Sequence, residues 1–434
     1  MLTTLRAALL VPDIRKRIGF VFLAFAIFVF MIHVQIPNVN AGVWERLLAQ
    51  GTFYNFLGFL SGGALQRLSV IAMGITPYIN ASIIMQLMTV VIPQLEEMAK
   101  KGGEEGRKKI GQYTRWLTIV LAVVQATTMT IAMKNSGVFY DTSIFFVLYV
   151  IVAMVSGTLF LMWLGEQISD KGIGNGISLI IMAGIVSHLP VSVGQLFEQT
   201  RTGAVSLPFI LMVAVLGLGT IAFICLMERA QRKILIQYPK RQVGSRQYQG
   251  DSSFLPLKIN TSGVIPPIFA SSLLLMPLTV AQFLGKGGNG PDWLLTVTTQ
   301  LQRGAPVYMA LYAAGIIFFS FFYTAVVFNP EETAENLKKY GGFVPGIRPG
   351  VRTSEYLDYV LTRITVIGAA YLTIICLLPE FLTSKVGIAA SFGGTSLLII
   401  VNVTMDTVAQ IQSHLLAHQY EGLIKKSKLR GNRR

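Results

Sequence analysis

The chain has 434 residues, 53% of them hydrophobic and only 13% charged, against roughly 25% charged residues in soluble domains. With a mean hydropathy of +0.58, this excludes an ordinary soluble enzyme and defines an integral membrane protein. The net charge of +15 becomes informative once it is distributed over the connections between apolar segments.

A hydrocarbon core of about 30 Å needs about 20 apolar residues per helix. About ten segments qualify, approximately Ile18–Ile36, Ile71–Ile92, Trp116–Met133, Ile144–Leu164, Ile173–Leu189, Leu207–Met227, Val264–Leu284, Pro306–Phe328, Ile364–Leu382 and Phe392–Ala409. Strand-length alternation is absent on this reading, which argues against a β-barrel. The first segment follows Arg15, Lys16 and Arg17 as a signal peptide would, but it is long and lacks a small-residue cleavage site, so it reads as a retained span.

Between the first two spans lies FLGFLSGGALQRLSV, Phe56 to Val70. It is too short and too broken by Gly58, Gly62 and Gly63 to cross a bilayer, yet too apolar for an exposed loop. Irregular backbone at membrane depth survives only where protein or a water-filled cavity covers it, which predicts a re-entrant piece. An amphipathic helix lying on the membrane surface fits the same residues.

With an even number of spans, both termini share one side, and that side collects all but seven of the 36 Lys and Arg residues. The exceptions are Arg46, Arg67, Lys134, Arg201, Lys286, Arg303 and Lys385. The positive-inside rule then places both termini in the cytoplasm. Two cytoplasmic loops are far longer than the rest, 228–259 and 329–363, both basic and polar. Loops beyond about 15 residues without structure of their own are commonly functional, so these are candidate docking elements, although a solvated face or anionic headgroups would suit the same charge. The largest inter-span loop, after the sixth span, divides the chain into halves of about five spans, 1–200 and 201–434. An odd number of spans per half inserts the halves in opposite senses, the arithmetic of an inverted repeat.

The chemistry of an enzyme is missing. No GxxxxGK[ST] phosphate loop, Cys/His metal spacing, nucleophile elbow or paired-carboxylate arrangement stands out, and the two cysteines, Cys225 and Cys376, both fall inside predicted spans. Neither a catalytic residue, a metal ligand nor a cofactor is expected. Ion-coupled transport needs intramembrane ionisable groups; here they reduce to Glu166, Asp406 and His33, near span ends, with polar Asn80, Gln86, Gln125 and Asn402 as further candidates to line a site or to bond between helices. Ile75 and Ile79, and Ile177 and Ile181, are spaced four apart and share a helix face. Such pairs either line an apolar constriction that resists water and ions by dewetting, or pack against lipid and neighbouring helices.

Four long strings narrow these alternatives. FLSGGALQRLSVIAMGITPYINASIIMQLMTVVIPQLEEMAKKGGEEGRKKIGQYTR, FLMWLGEQISDKGIGNGIS, VFNPEETAENLKKYGGFVPGIRPG and FGGTSLLI closely resemble the SecY/Sec61-alpha family, the channel subunits of protein-conducting translocons, from about Pro12 to the C-terminus. The resemblance implies an all-α membrane protein of about ten transmembrane helices in two inverted five-helix halves, with a re-entrant plug helix at about 52–67 that includes Phe56, Leu57, Phe59, Leu60, Gly62, Gly63 and Leu65. It implies a pore ring of Ile75, Ile79, Ile177, Ile181, Ile268 and Ile399, and a lateral gate with polar contacts from Asn80, Gln86, Ser271 and Ser272. Lys240, Arg241 and Arg348 match the family's docking positions for the SecA ATPase and the ribosome. Asn402, three residues after Ile399, and Glu331 in NPEETAENLKK depart from the family's pattern.

The function so implied is the central pore of the Sec translocon, which conducts unfolded secretory proteins across the membrane and releases transmembrane segments laterally into lipid. It is not an enzyme. The implied partners are SecE-type and SecG-type subunits, SecA, the ribosome, signal-sequence-bearing precursor proteins, SecDF, YidC and membrane lipid, without sequence-specific nucleic acid. The implied location is the bacterial plasma (inner) membrane rather than a plastid membrane.

Overall fold

A computed structural model describes residues 9–50, 61–203, 206–239, 242–243, 246–247, 252–284, 296, 299–301, 305–386 and 394–431. The chain clusters into two compact units, Met1–Ser206 with Ile399–Arg434, and Leu207–Leu398.

In the first unit, α1 (Pro12–Ile32) starts with proline in its first turn, where the missing N–H costs nothing. The short amphipathic α2 (Ala41–Gln50) follows. Next come α3 (Thr76–Val91) and α4 (Pro93–Lys101), which meet at a bend of 104°. Ile92 is extended at the bend because the proline after it disfavours helical geometry. The turn from α4 into α5 (Gly103–Asn135) is equally tight: a β-carbon on Gly106 would sit 2.0 Å from the Met98 carbonyl oxygen. In α6 (Ile144–Lys171) the Ser143 hydroxyl caps the Phe146 N–H, and in α7 (Gly176–Arg201) the Asn175 side chain accepts from Ile177 N and Ser178 N, supplying acceptors for otherwise orphaned amides. One apolar cluster unites Trp44 of α2, Leu65 and Leu68, Ala122, Ala126, Met129 and Met133 of α5, and Phe146, Val150 and Met154 of α6.

The second unit begins with α8 (Leu207–Arg229), which runs into β1 (Gln231–Gln237). Strand β1 pairs antiparallel with β4 (Ser252–Lys258), Ile234 opposite Leu255, and the minor pair β2 (Gln242–Val243) and β3 (Arg246–Gln247) lies between them in sequence. Then follow α9 (Ile265–Leu284), α10 (Pro306–Val327), α11 (Pro330–Lys339) and α12 (Val351–Val386). The last helix, α13 (Gly394–Gly431), joins the first unit from Ile399 onward.

Each apolar segment read from the sequence overlaps a helix among the described residues. Among the described residues, seven helices are long and apolar enough to cross a membrane, or eight if the bent α3–α4 pair is one span. Helix α3 starts at Thr76 rather than at Ile71, because Gly74 (φ +57) takes up a left-handed conformation that closes a run of turns. The reading that strand alternation is absent is corrected locally. In Gln231–Gln237 the burial alternates, with Ile234 and Ile236 inward, so the first long loop carries a β-ribbon of its own.

Candidate functional site

From Ser61 to Ile75 the chain makes consecutive turns in place of a helix. Gly62 (φ +67) and Gly63 (φ +82) adopt the region that glycine alone enters without strain, so an α-helix cannot run through them. The segment is deeply buried: Ala64, Leu65, Ser69 and Ile71 are 0% exposed. It packs backbone against backbone. A β-carbon on Gly62 would lie 2.8 Å from the Gly184 Cα of α7, and one on Gly157 of α6 would lie 2.3 Å from the Val70 carbonyl oxygen. Ser187 Oγ lies 3.3 Å from the Gly62 carbonyl oxygen but 2.7 Å from that of Gly184.

The same segment is tied at its far end. Ile36 N donates to Leu68 O and Val70 N to Val34 O, Ser69 Oγ donates to Met31 O, and the Trp44 indole N–H donates to Gln66 O at 3.0 Å. His188 Nε2 lies 3.3 Å from Gln66 Oε1. Burial on this scale favours the re-entrant reading over a helix lying on a surface. Of the expected plug residues, Gly62, Gly63 and Leu65 belong to this segment, whereas Phe56, Leu57, Phe59 and Leu60 lie outside the described residues.

The six isoleucines share a position in their helices. Ile75 is the N-cap of α3 and Ile79 lies in its first turn; Ile177 and Ile181 occupy the first two turns of α7, Ile268 the first turn of α9 and Ile399 the second turn of α13. Ile75, Ile181 and Ile399 are buried and the other three are half-buried. Ile177 packs partly onto α6, since a β-carbon on Gly165 would meet it at 3.1 Å. Five of the six belong to the first unit and Ile268 to the second.

Asn80 and Gln86 are half-buried on α3. The Gln86 Oε1 is buried with no hydrogen-bond partner among the described residues, an open acceptor at that position. On α9, Ser271 turns its hydroxyl back to Ile268 O at 2.9 Å, and Ser272 is half-buried. Glu166 is held by Arg115 at 2.7 Å, an ion pair between α6 and α5 that occupies one of the few ionisable groups a coupled transporter would need. Among the described residues no cluster of His, Cys, Asp and Glu is fit to hold a metal ion.

The two long loops form one folded body. Gln237 and Phe343 exchange both main-chain hydrogen bonds, at 2.9 and 3.0 Å, and Ile234, Leu257, Ala334, Val344, Leu357 and Ile364 share an apolar core. Arg348 projects from this platform, exposed, between Gly346 (φ +80) and Gly350 (φ +108), and its carbonyl oxygen accepts from Thr353 Oγ1. Lys240 and Arg241 lie outside the described residues.

Sequence reasoning missed three features: the ribbon, the Trp44 anchor, and a buried carboxylate, Glu228. The alternation of KILIQ in β1 places only Ile234 and Ile236 inward, too few to mark the ribbon within a basic loop. The other two depend on partners distant in sequence and left no local pattern.

These features define a multi-pass α-helical membrane protein with a buried re-entrant segment. The fold is shared with a solved protein-conducting channel (TM-score 0.64, 17% identity, 92% of each chain). It is shared also with a SecY protein described for the role of its plug domain (0.66, 18%, 92% of each), and with a Sec61 channel from a canine ribosome–channel complex (0.60, 17%, 92% of each). A family model described as SecY matches residues 69–408. The chain is 51% identical to the protein translocase subunit SecY of Vibrio cholerae over 426 residues, 50% to that of Escherichia coli K12 over 425, each covering 96% of both chains. It is 48% identical to that of Pseudomonas aeruginosa over 421 residues, 96% of this chain and 95% of the relative. The chain belongs to the SecY family.

Proposed function

We infer that this chain is the central pore-forming subunit of a Sec translocon, conducting unfolded secretory proteins across the membrane and releasing apolar segments sideways into lipid. The observation that carries the reading is the identity of about half the residues over 96% of the chain to translocase subunits named SecY. The chain supplies a path rather than a reaction; the free energy comes from a cytosolic motor ATPase of the SecA type or from elongation at the ribosome, docked through Arg348, Lys240 and Arg241. SecE-type and SecG-type subunits complete the channel, and SecDF and YidC assist it. The halves 1–200 and 201–434 are inverted repeats, both termini face the cytoplasm, and the membrane is the bacterial inner membrane.

In this reading Ile75, Ile79, Ile177, Ile181, Ile268 and Ile399 form a ring that seals around an extended chain without offering it a hydrogen bond, as an apolar constriction does for water and ions. The segment around Gly62 is the root of the plug. Asn80, Gln86, Ser271 and Ser272 supply the polar contacts of a lateral gate, weak enough to yield to an entering apolar segment. The open acceptor of Gln86 supports this, because a buried polar atom costs free energy until it is paired.

The test is protease protection of a labelled secretory precursor in vesicles holding this chain, a SecE-type partner, SecA and ATP, with a photocrosslinker at Ile79 or Ile181. Protected precursor crosslinked at these positions is the expected result. Precursor that binds but stays accessible and never reaches either position would refute the pore.

A further inference from the structure

Helix α8 buries little of itself: apart from Ile224, its buried residue is the ionisable Glu228, 7% exposed. Glu228 Oε1 accepts from Asn260 Nδ2 at 2.6 Å and lies 3.5 Å from the Tyr371 hydroxyl of α12. Asn260, in turn, accepts from Ser262 Oγ at 3.1 Å and donates to Gly263 O at 3.1 Å, which fixes the turn that leads into α9. The turn is held from a third direction, since a β-carbon on Gly368 of α12 would lie 2.7 Å from the Ile259 carbonyl oxygen. Ile259 N itself donates to Ala230 O at the end of α8.

A buried carboxylate is an expensive way to fill space, because an apolar side chain of similar volume avoids its desolvation cost. What it provides here is a fixed point where three routes from the platform converge: α8 with β1, the exit of β4, and α12, whose Leu357 and Ile364 belong to the platform core. The turn they hold begins the helix that carries Ile268 and Ser271. Movement of the platform therefore reaches α9 through Asn260 or breaks its bonds.

We propose that Glu228 is a positioning residue that couples partner docking on the platform to α9, with Asn260 as its contact on the moving turn. The inference rests on the channel reading above, and it assigns to Glu228 a role in transmission, distinct from binding the partner or lining the path.

The experiment uses the chain reconstituted with its SecE-type partner in vesicles, and measures motor binding and precursor translocation side by side. Glu228→Leu should bind the motor as the unaltered chain does, yet translocate about tenfold more slowly, the loss expected for removing a hydrogen bond to a charged group. Glu228→Gln keeps an acceptor oxygen toward Asn260 and should restore most of the rate. If Glu228→Leu does not fold, Asn260→Ala should give the same split between binding and rate. Translocation at the unaltered rate, or binding and translocation falling in proportion, would overturn the coupling role. Unaltered chain that binds the motor and translocates nothing would remove the channel reading, and this inference with it.

Discussion

Gly62 lies against Gly184 with no side chain between them, so closely that a β-carbon on Gly62 would sit 2.8 Å from the Gly184 α-carbon. Gly184 is three residues beyond Ile181 on α7, a rise of about 4.5 Å along the helix axis. The contact thus sits about one turn from the isoleucine assigned to the ring. Ser187 beside it keeps its shorter hydrogen bond to its own helix, so separation of Gly62 leaves no orphaned donor.

Gly62→Val should unseat the segment. It imposes a left-handed conformation that costs an L-residue roughly 1–2 kcal/mol, and it drives a side chain into Gly184. Planar bilayers carrying the variant with its partner subunit should show raised resting ion conductance, whereas Ser187→Ala should stay closed. Conductance no higher than that of the unaltered channel would mean that the Gly184 contact does not hold the segment in place.

Arg348→Glu should weaken translocation and motor binding while leaving membrane insertion of the chain intact. The side chain is exposed, so the substitution reverses charge at the platform tip without disturbing its core. Normal translocation by this variant would remove Arg348 from the docking surface.

Leu357→Ala probes the platform core. Leu357 is 0% exposed, and truncating a buried leucine costs about 2–5 kcal/mol. The expected result is faster protease cleavage within 231–258, with the membrane-embedded helices still protected. Unchanged cleavage would show that the ribbon and α12 do not depend on a shared core.

Arg115→Gln makes a prediction of the opposite kind. The side chains of Arg115 and Glu166 are 52% and 28% exposed, and pairs open to solvent contribute about 0–1 kcal/mol. Translocation and thermal stability should change little. A large loss of either would show that the pair holds α5 and α6 together more firmly than its exposure implies.

The sequence made the apolar helices legible because a span is defined by length and composition, properties local to the chain. It also exposed the glycine-broken segment after the first span, since Gly62 and Gly63 announce a backbone that helix sterics forbid. A covered, re-entrant segment was expected, but its partners were not legible: Gly157 and Gly184 are glycines about a hundred residues away whose only signal is the absence of a side chain. The ribbon was misread because Ile234 and Ile236 alternate over too few residues to stand out from a basic loop. The Glu228 site was invisible for a related reason: Asn260 and Tyr371 lie far from it in the chain, and each alone is an unremarkable polar residue.

The loop between α6 and α7 bears on how the protein is made. Gly174 N donates to Gln410 Oε1 at 2.9 Å, Thr404 Oγ1 lies 3.6 Å from the Met182 sulfur, and Ile14, Ile173 and Leu415 share one apolar cluster. The two bonded pairs are 236 and 222 residues apart in the chain. When the ribosome has synthesised the first seven helices, the last piece of the first unit is still unmade, and the whole of Leu207–Leu398 must emerge before α13 can dock. The first unit therefore stays incomplete until Leu207–Leu398 has been synthesised and α13, from Ile399 onward, has joined it. A nascent copy thus cannot assemble its first unit as one folded body until the second has already been made.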